Sequence, residues 1–165
     1  MPQKYTSANT SINSTKLPKI YSLATDVIKG KRVIDYGCGK YFDNYIGKVD
    51  ADLHGYDPYN RNDESVLCRE YDVALCSNVL NVIDSAEART AVLRTLKSLA
   101  PVVLITVYEG DRSGKGKVTK EDCFQLNRSR GAYIPELVAV FGKGNVTFKH
   151  GYFECRRAAG KEGVA

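Results

Sequence analysis

Two glycines one residue apart close the segment Val33-Ile34-Asp35-Tyr36-Gly37-Cys38-Gly39-Lys40. A β-branched pair leading into an acid and then into Gly-x-Gly reads as a strand that must turn sharply. Gly37 and Gly39 can take the positive φ that a side chain resists, and without Cβ atoms they let a ligand lie on the backbone. The peptide N–H groups that follow can point at polar ligand atoms. The structural alternative is a tight strand-to-loop turn, since Gly-x-Gly alone is a weak signal. A second chemical position raises its meaning. Asp57 stands 22 residues after Asp35, at the end of the next apolar segment. A carboxylate there can accept from both hydroxyls of a ribose. Its alternative role is to form a turn ahead of Pro58. A third polar pair, Ser77-Asn78, ends the apolar run after that.

The glycines decide which adenosyl ligand fits. A dinucleotide site needs a third glycine where Phe42 stands, so a pyrophosphate at a helix start is disfavoured. Gly39-Lys40 also lacks the following Ser or Thr and the upstream glycine of a phosphate-binding loop. What remains is an adenosine-containing ligand without a pyrophosphate.

Such residues need a framework that brings strand ends together. The apolar pattern predicts strands at Arg32–Tyr36, Leu53–Tyr56, Tyr71–Ser77 and Val102–Val107, the later ones continuous enough to be buried on both faces. Between them, Ile20, Leu23, Ala24, Val27 and Ile28 predict a helix from Pro18 to Gly30, and Tyr41–Ile46 a short one. Asp84 or Ser85 caps a helix striped by Ala88, Val92, Leu96 and Leu99, with Leu93 and Ala100 beside it, and Pro101 ends it. Pro135–Phe141 reads as a last helix, and 145–149 and 152–156 as an antiparallel pair around His150-Gly151. Residues 109–120 read as a mobile loop. Strands alternating with helices, with continuous apolar strands, imply an α/β fold with a parallel sheet covered on both faces. Ligands then sit outside the carboxyl ends of the strands. Residues 17–157 form one domain on this reading, after a flexible arm (1–16) and before a frayed tail (158–165).

Composition narrows the classes. Of the 165 residues, 43% are hydrophobic and 26% charged, as in an ordinary soluble domain. No apolar run reaches the ~20 residues that span a bilayer, so no membrane role is expected. Five cysteines, none in Cys-x-x-Cys, and two histidines predict neither a disulfide framework nor a metal site, and a cytoplasmic location. The net charge of +5 hides an asymmetry, with eight acids against three bases over 43–72 and six bases against three acids over 111–130.

The segments Val33 to Gly39, Gly55-Tyr56-Asp57-Pro58 and Tyr71 to Leu80 together resemble class I S-adenosylmethionine-dependent methyltransferases, over about residues 30 to 107 in the right order. Within that family the Gly55–Tyr59 and Val79–Ile83 segments are similar to those of small methyltransferase-like proteins of phages and of loci linked to DNA phosphorothioation. For a phage protein the location would be the host cytoplasm. The resemblance implies a Rossmann-like α/β three-layer sandwich whose mostly parallel, seven-stranded sheet has an antiparallel last strand, S-adenosylmethionine as cofactor, and a cofactor site at Asp35, Tyr36, Gly37, Cys38, Gly39, Asp57, Pro58, Ser77 and Asn78. Gly37 and Gly39 would contact the amino-acid moiety, Asp57 the ribose, and Asn78 would lie near the reactive methyl. Two departures stand out. The third glycine of Gly-x-Gly-x-Gly is Tyr41, whose ring must swing away or wall the pocket. Only 15 residues separate Asp57 from Asp72, too few for a helix and a strand, so this middle element is expected to be abbreviated. Asp63, Glu64 and Ser65 are the local candidates to hold the adenine amine.

The acceptor is left to the basic stretch and its neighbours. The segment Ser77-Asn78-Val79-Leu80 lacks the prolines and aromatic of an amino-group DNA methyltransferase, and Cys76 after Leu75 lacks the Pro-Cys of a cytosine-carbon enzyme. Asn81, Arg112, Lys115, Lys117, Gln125, Asn127 and Arg128 are the candidate substrate residues, and their charge favours a nucleic acid or nucleotide. A small molecule is the next reading, and a non-catalytic S-adenosylmethionine-binding module the third. No catalytic base is evident, His54 and His150 being assigned to structure or surface. The chain is expected to be a monomer or small homo-oligomer.

Overall fold

The computed structural model describes residues 2–9 and 16–158. Expectations for residues 10–15 and 159–165 lie outside the described residues.

Four strands carry the parallel sheet: β1 Arg32–Tyr36, β2 Asp52–Tyr56, β3 Val73–Ser77 and β4 Val102–Thr106. β1 pairs in parallel with both β2 and β3, and β3 with β4. The hairpin β5 Lys115–Lys120 and β6 Cys123–Asn127 forms a separate two-stranded sheet. β7 Val146–Lys149 and β8 Tyr152–Arg156 complete the main sheet in the order β2-β1-β3-β4-β8-β7, with β8 antiparallel to both neighbours. The chain leaves β1 toward β2 on one side and returns to β3 on the other. This reversal opens a crevice at the carboxyl ends of β1 and β3.

Strand periodicity explains the three layers, because alternate residues face opposite sides. Ile34, Ala74, Cys76, Val103 and Ile105 meet one layer, built from Leu93, Leu96 and Leu99 of α3 (Ala86–Leu99) and from Leu137 and Phe141 of α4 (Ile134–Phe141). Val33, Val73, Leu75 and Leu104 meet the other, built from Ile20, Tyr21, Ala24 and Ile28 with Phe42 and Tyr45. These are α1 (Lys19–Leu23) and α2 (Thr25–Ile28), for the single expected helix breaks at Ala24, where φ is −109° and ψ 19°. Ser85 rather than Asp84 caps α3, accepting from the Ala88 N–H at 3.2 Å. Asp84 instead accepts from the Lys4 N–H at 3.0 Å.

Two expectations about irregular stretches are corrected. The 109–120 loop is half strand, because β5 pairs with a β6 whose Cys123 and Asn127 are buried. β5 is exposed at all six positions, so its sequence carries no apolar alternation to reveal it. The Tyr41–Ile46 helix shrinks to a 3-10 turn, Phe42–Asn44. Between β2 and β3 stands only a 3-10 segment, Glu64–Cys68. The sheet therefore has six strands among the described residues, β2 is its edge, and the seventh strand implied by the resemblance has no counterpart beside it.

Residues 2–9, within the stretch read as an arm, lie across the carboxyl end of the sheet. Ser7 donates its N–H to the Asp122 carbonyl at 2.8 Å and its hydroxyl to the Val82 carbonyl at 2.9 Å. Its Oγ also accepts the Phe124 N–H at 3.2 Å. The Tyr5 ring stacks on Phe124, centroids 5.7 Å apart.

Candidate functional site

The glycine turn is held from β2. Gly37 and Gly39 have φ of +78° and +75°. The N–H groups of Gly37 and Cys38 both donate to the Tyr56 carbonyl, at 2.7 and 3.1 Å, and that of Gly39 to Asp57 Oδ2 at 2.9 Å. These three N–H groups thus face protein rather than a ligand. The two glycines are needed for different reasons. A Cβ on Gly37 would stand 2.4 Å from Val79 Cγ2, whereas one on Gly39 would meet nothing within 4 Å, only open space.

Asp57 is a turn-former as well as a strand-end acid. Its Oδ1 accepts the N–H groups of Tyr59 and Asn60, at 2.9 and 3.0 Å, and Asn60 Nδ2 at 3.3 Å. Oδ2 receives Gly39 alone among the described residues, which leaves it lone-pair capacity for a hydroxyl. Asp35, 1% exposed, accepts the Tyr21 hydroxyl. Burial pushes its carboxyl up to about 6, the Tyr21 bond opposes that rise, and the Asp57 charge adds to it. Burial likewise raises the Tyr36 phenol to about 12 and drives the Cys38 thiol upward. Neither is a nucleophile near neutral pH.

These groups open on one cleft of about 850 Å³. Asp35, Tyr36, Gly37, Cys38, Gly39, Asp57, Pro58, Ser77 and Asn78 all line it, as the crevice at the β1/β3 reversal requires. Ser77 Oγ accepts from Thr106 Oγ1 at 3.2 Å, and Asn78 turns the chain at φ +54° with its N–H on the Thr106 carbonyl. The Tyr41 ring swings away, packing on the core beneath Lys40 and leaving the lining. Asp63, Glu64 and Ser65 also lie outside the cleft, since Asp63 accepts the Ser65 N–H and hydroxyl to cap the Glu64–Cys68 turn. Tyr59 and Asn60 occupy that side of the lining instead.

Of the candidate substrate residues only Asn81 and Gln125 line the cleft. Arg128 is committed to Glu136, which Arg89 also grips at 2.9 Å, and its guanidinium lies 3.9 Å from the Tyr133 ring centroid. Arg112 pairs with Glu109 at 3.3 Å. Asn127 is buried beside Gly110, where a Cβ would come within 1.8 Å of its Oδ1. Lys115 and Lys117 are exposed on β5, away from the lining. Lys120 and Phe124 of the basic stretch line the cleft, while sequence reasoning missed Tyr108 and the Thr6-Ser7-Ala8 segment, which line it too. Only the fold brings these distant segments together, so no local pattern could have pointed to them.

No family model and no curated protein matches the chain. Solved structures do. The 1,6-didemethyltoxoflavin-N1-methyltransferase of Burkholderia thailandensis, crystallised with its acceptor and S-adenosylhomocysteine, superposes at a TM-score of 0.60 with 15% identity, over 86% of this chain and 80% of that one. The magnesium protoporphyrin IX methyltransferase of Synechocystis PCC 6803 with bound S-adenosylhomocysteine gives 0.54 and 16%, over 84% and 80%. The chain has the Rossmann-like methyltransferase fold. A Rhodobacter sphaeroides protein described as a Zn-dependent alcohol dehydrogenase also superposes, at 0.54 and 13% identity over 82% and 87%. Fold alone therefore assigns no reaction, and the site must carry the functional argument.

Proposed function

We propose that the chain binds S-adenosylmethionine in the cleft and transfers its methyl group by direct in-line displacement to a small-molecule acceptor. The observation that supports this most is the convergence of nine strand-end positions, chosen for an adenosyl ligand without pyrophosphate, on one crevice. The cradle fits such a ligand. Gly39 leaves open space where a side chain would stand, Asp57 Oδ2 keeps capacity for a ribose hydroxyl, and Asp35 offers a carboxyl to an ammonium. Two proteins of similar fold are described with S-adenosylhomocysteine bound.

The bound cofactor supplies an already activated methyl on a sulfonium. The protein's part is to align and to exclude water, which in such reactions is worth about 7–11 kcal/mol of barrier. Ser77 and Asn78 hold the strand end beside the glycine turn, and the Thr6-Ser7-Ala8 segment forms part of the cleft wall.

A nucleic acid or nucleotide acceptor is the second reading, and the exposed lysines of β5 support it. Calorimetric titration with S-adenosylmethionine tests the proposal. Binding by the wild type that falls at least about tenfold in Asp57→Ala is the expected outcome. No binding, or unchanged binding in the variant, overturns the site assignment.

A further inference from the structure

The half of the cleft beyond the glycine turn differs in chemistry from the half described above. Val82, Ile83, Val92, Tyr108 and Phe124 line it, and Tyr108 is 60% exposed with its ring free to meet a ligand. Two carboxamides set the Tyr108 backbone. Asn81, 2% exposed, donates from Nδ2 to Gln125 Oε1 at 3.0 Å and accepts the Tyr108 N–H at 3.3 Å. Gln125 Nε2 donates to the Tyr108 carbonyl at 3.1 Å and to that of Leu126 at 2.9 Å. An aromatic ring on a fixed backbone is thus presented beside an apolar wall.

The charges lining the cleft are few. Asp35 and Asp57 stand on the glycine side, and the cations Lys16 and Lys120 are both exposed. No histidine lines the cleft among the described residues, and the two carboxylates are bonded elsewhere, Asp57 to Gly39 and Asp35 to Tyr21. The described lining therefore holds no histidine, and no carboxylate besides Asp35 and Asp57, to take a proton from an alcohol or an ammonium. It also offers no buried guanidinium for a phosphate, since Arg128 is spent on Glu136.

The N-terminal segment lines this half too. It is fastened to Asp84 through the Lys4 N–H, to Asp122 through Thr6, and to Val82 and Phe124 through Ser7. On the glycine side Asn60 Nδ2 donates to the Ala8 carbonyl at 3.4 Å. Pockets for single small ligands run to about 300–1,000 Å³, and the 850 Å³ here must hold cofactor and acceptor together.

We propose that the acceptor is a small planar heteroaromatic compound, stacked on Tyr108, whose nucleophile is a ring nitrogen or a phenol acidic enough to need no enzymic base. The inference rests on the cofactor reading above. The nucleophile's lone pair forms the new bond to the methyl carbon, and the S–CH₃ pair stays on sulfur as S-adenosylhomocysteine. Any proton released from the acceptor goes to water.

The full chain is first titrated with S-adenosylhomocysteine; no binding overturns the cofactor reading, and this inference falls with it. Protein saturated with S-adenosylhomocysteine is then titrated with lumazine and with 7-hydroxycoumarin, followed by fluorescence. Labelled S-adenosylmethionine is offered with the same two probes, with inositol, and with DNA and RNA oligonucleotides. Binding and methylation of a planar probe alone are expected, with a rate that follows the probe's own ionisation. Tyr108→Ala should weaken probe binding about tenfold while S-adenosylhomocysteine affinity stays within about twofold. Label on an oligonucleotide or on inositol overturns the inference, as does failure of the loaded protein to bind either probe, or unchanged probe binding in Tyr108→Ala.

Discussion

Asp57 Oδ2 accepts the Gly39 N–H at 2.9 Å, so the acid that ends β2 holds the glycine turn that ends β1. One carboxylate thereby sets the spacing of both strand ends, while Oδ1 holds the Tyr59–Asn60 turn. Asp57→Asn puts an amide donor against at least one of these N–H groups. It should lower stability by about 1–3 kcal/mol and weaken S-adenosylmethionine binding together, seen in urea melts and calorimetry. A loss of binding with no loss of stability would mean that Asp57 touches only the ligand.

Gly37 and Gly39 separate two kinds of glycine requirement. Gly37→Ala combines a positive φ with a 2.4 Å approach to Val79 and should cost roughly 2–5 kcal/mol. Adding Val79→Ala should recover the steric part only. Gly39→Ala should cost about 1–2 kcal/mol for its φ, yet reduce cofactor affinity by filling the cleft. Equal stability losses for the two single variants would refute this division.

Asp35 gives the protein a pH signature. Its carboxyl is raised from 3.8 to about 6 by burial, so between these values the folded protein holds a proton that the unfolded chain has released. Stability should therefore fall as pH rises from about 4 to 6 and level off above, by at most about 3 kcal/mol from this group. Asp35→Asn should flatten that segment of the curve while keeping an acceptor for Tyr21. Affinity for S-adenosylhomocysteine should rise through the same interval in the wild type, as the carboxylate forms, and not in the variant. An affinity independent of pH would remove Asp35 from the ammonium site.

Glu136 neutralises two guanidiniums, Arg89 with a 6% exposed side chain and Arg128 with one 19% exposed. Glu136→Gln should destabilise by about 3 kcal/mol, because it leaves cations uncompensated in a largely desolvated place. Cofactor affinity should be unaffected. A urea midpoint unchanged from wild type would show that water solvates this cluster.

The N-terminal strap should be separable from the fold. Asp122→Ala removes the acceptor of the Thr6 N–H and hydroxyl, and should speed trypsin cleavage after Lys4 and Lys16 with little change in melting temperature. Cleavage at the wild-type rate would place the strap's anchorage in Ser7.

The parts of the molecule that obey a local rule were legible in the sequence. β1, β3 and β4 showed as apolar runs, α3 showed as a stripe with a cap, and Gly37, Gly39 and Asp57 had types that few other arrangements need. The glycine side of the cleft was readable because strand ends in an open parallel sheet must converge. The Tyr108 side was not, because β5 is exposed on every residue and carries no apolar alternation. Charge misled at Arg112 and Arg128, whose partners Glu109 and Glu136 are invisible as partners until the chain is folded. The strap is held largely by backbone groups and by Ser7, which carry no compositional signal.

The sheet stops at β2, where Gly55 lies so close to Phe42 that a Cβ would come within 2.7 Å of the ring. Asp57 to Asn60 are the residues of that flank that line the crevice, and the short Glu64–Cys68 turn, with Val66 in the core and its carbonyl bonded by Tyr71, finishes that side. For protein engineering, this marks the outer flank as a graft point. Extra strands, a fluorescent reporter or a targeting domain inserted among the exposed residues Cys68 to Glu70 would extend the scaffold away from the residues that line the cleft. The chemistry would keep its geometry while the molecule gained a new attachment.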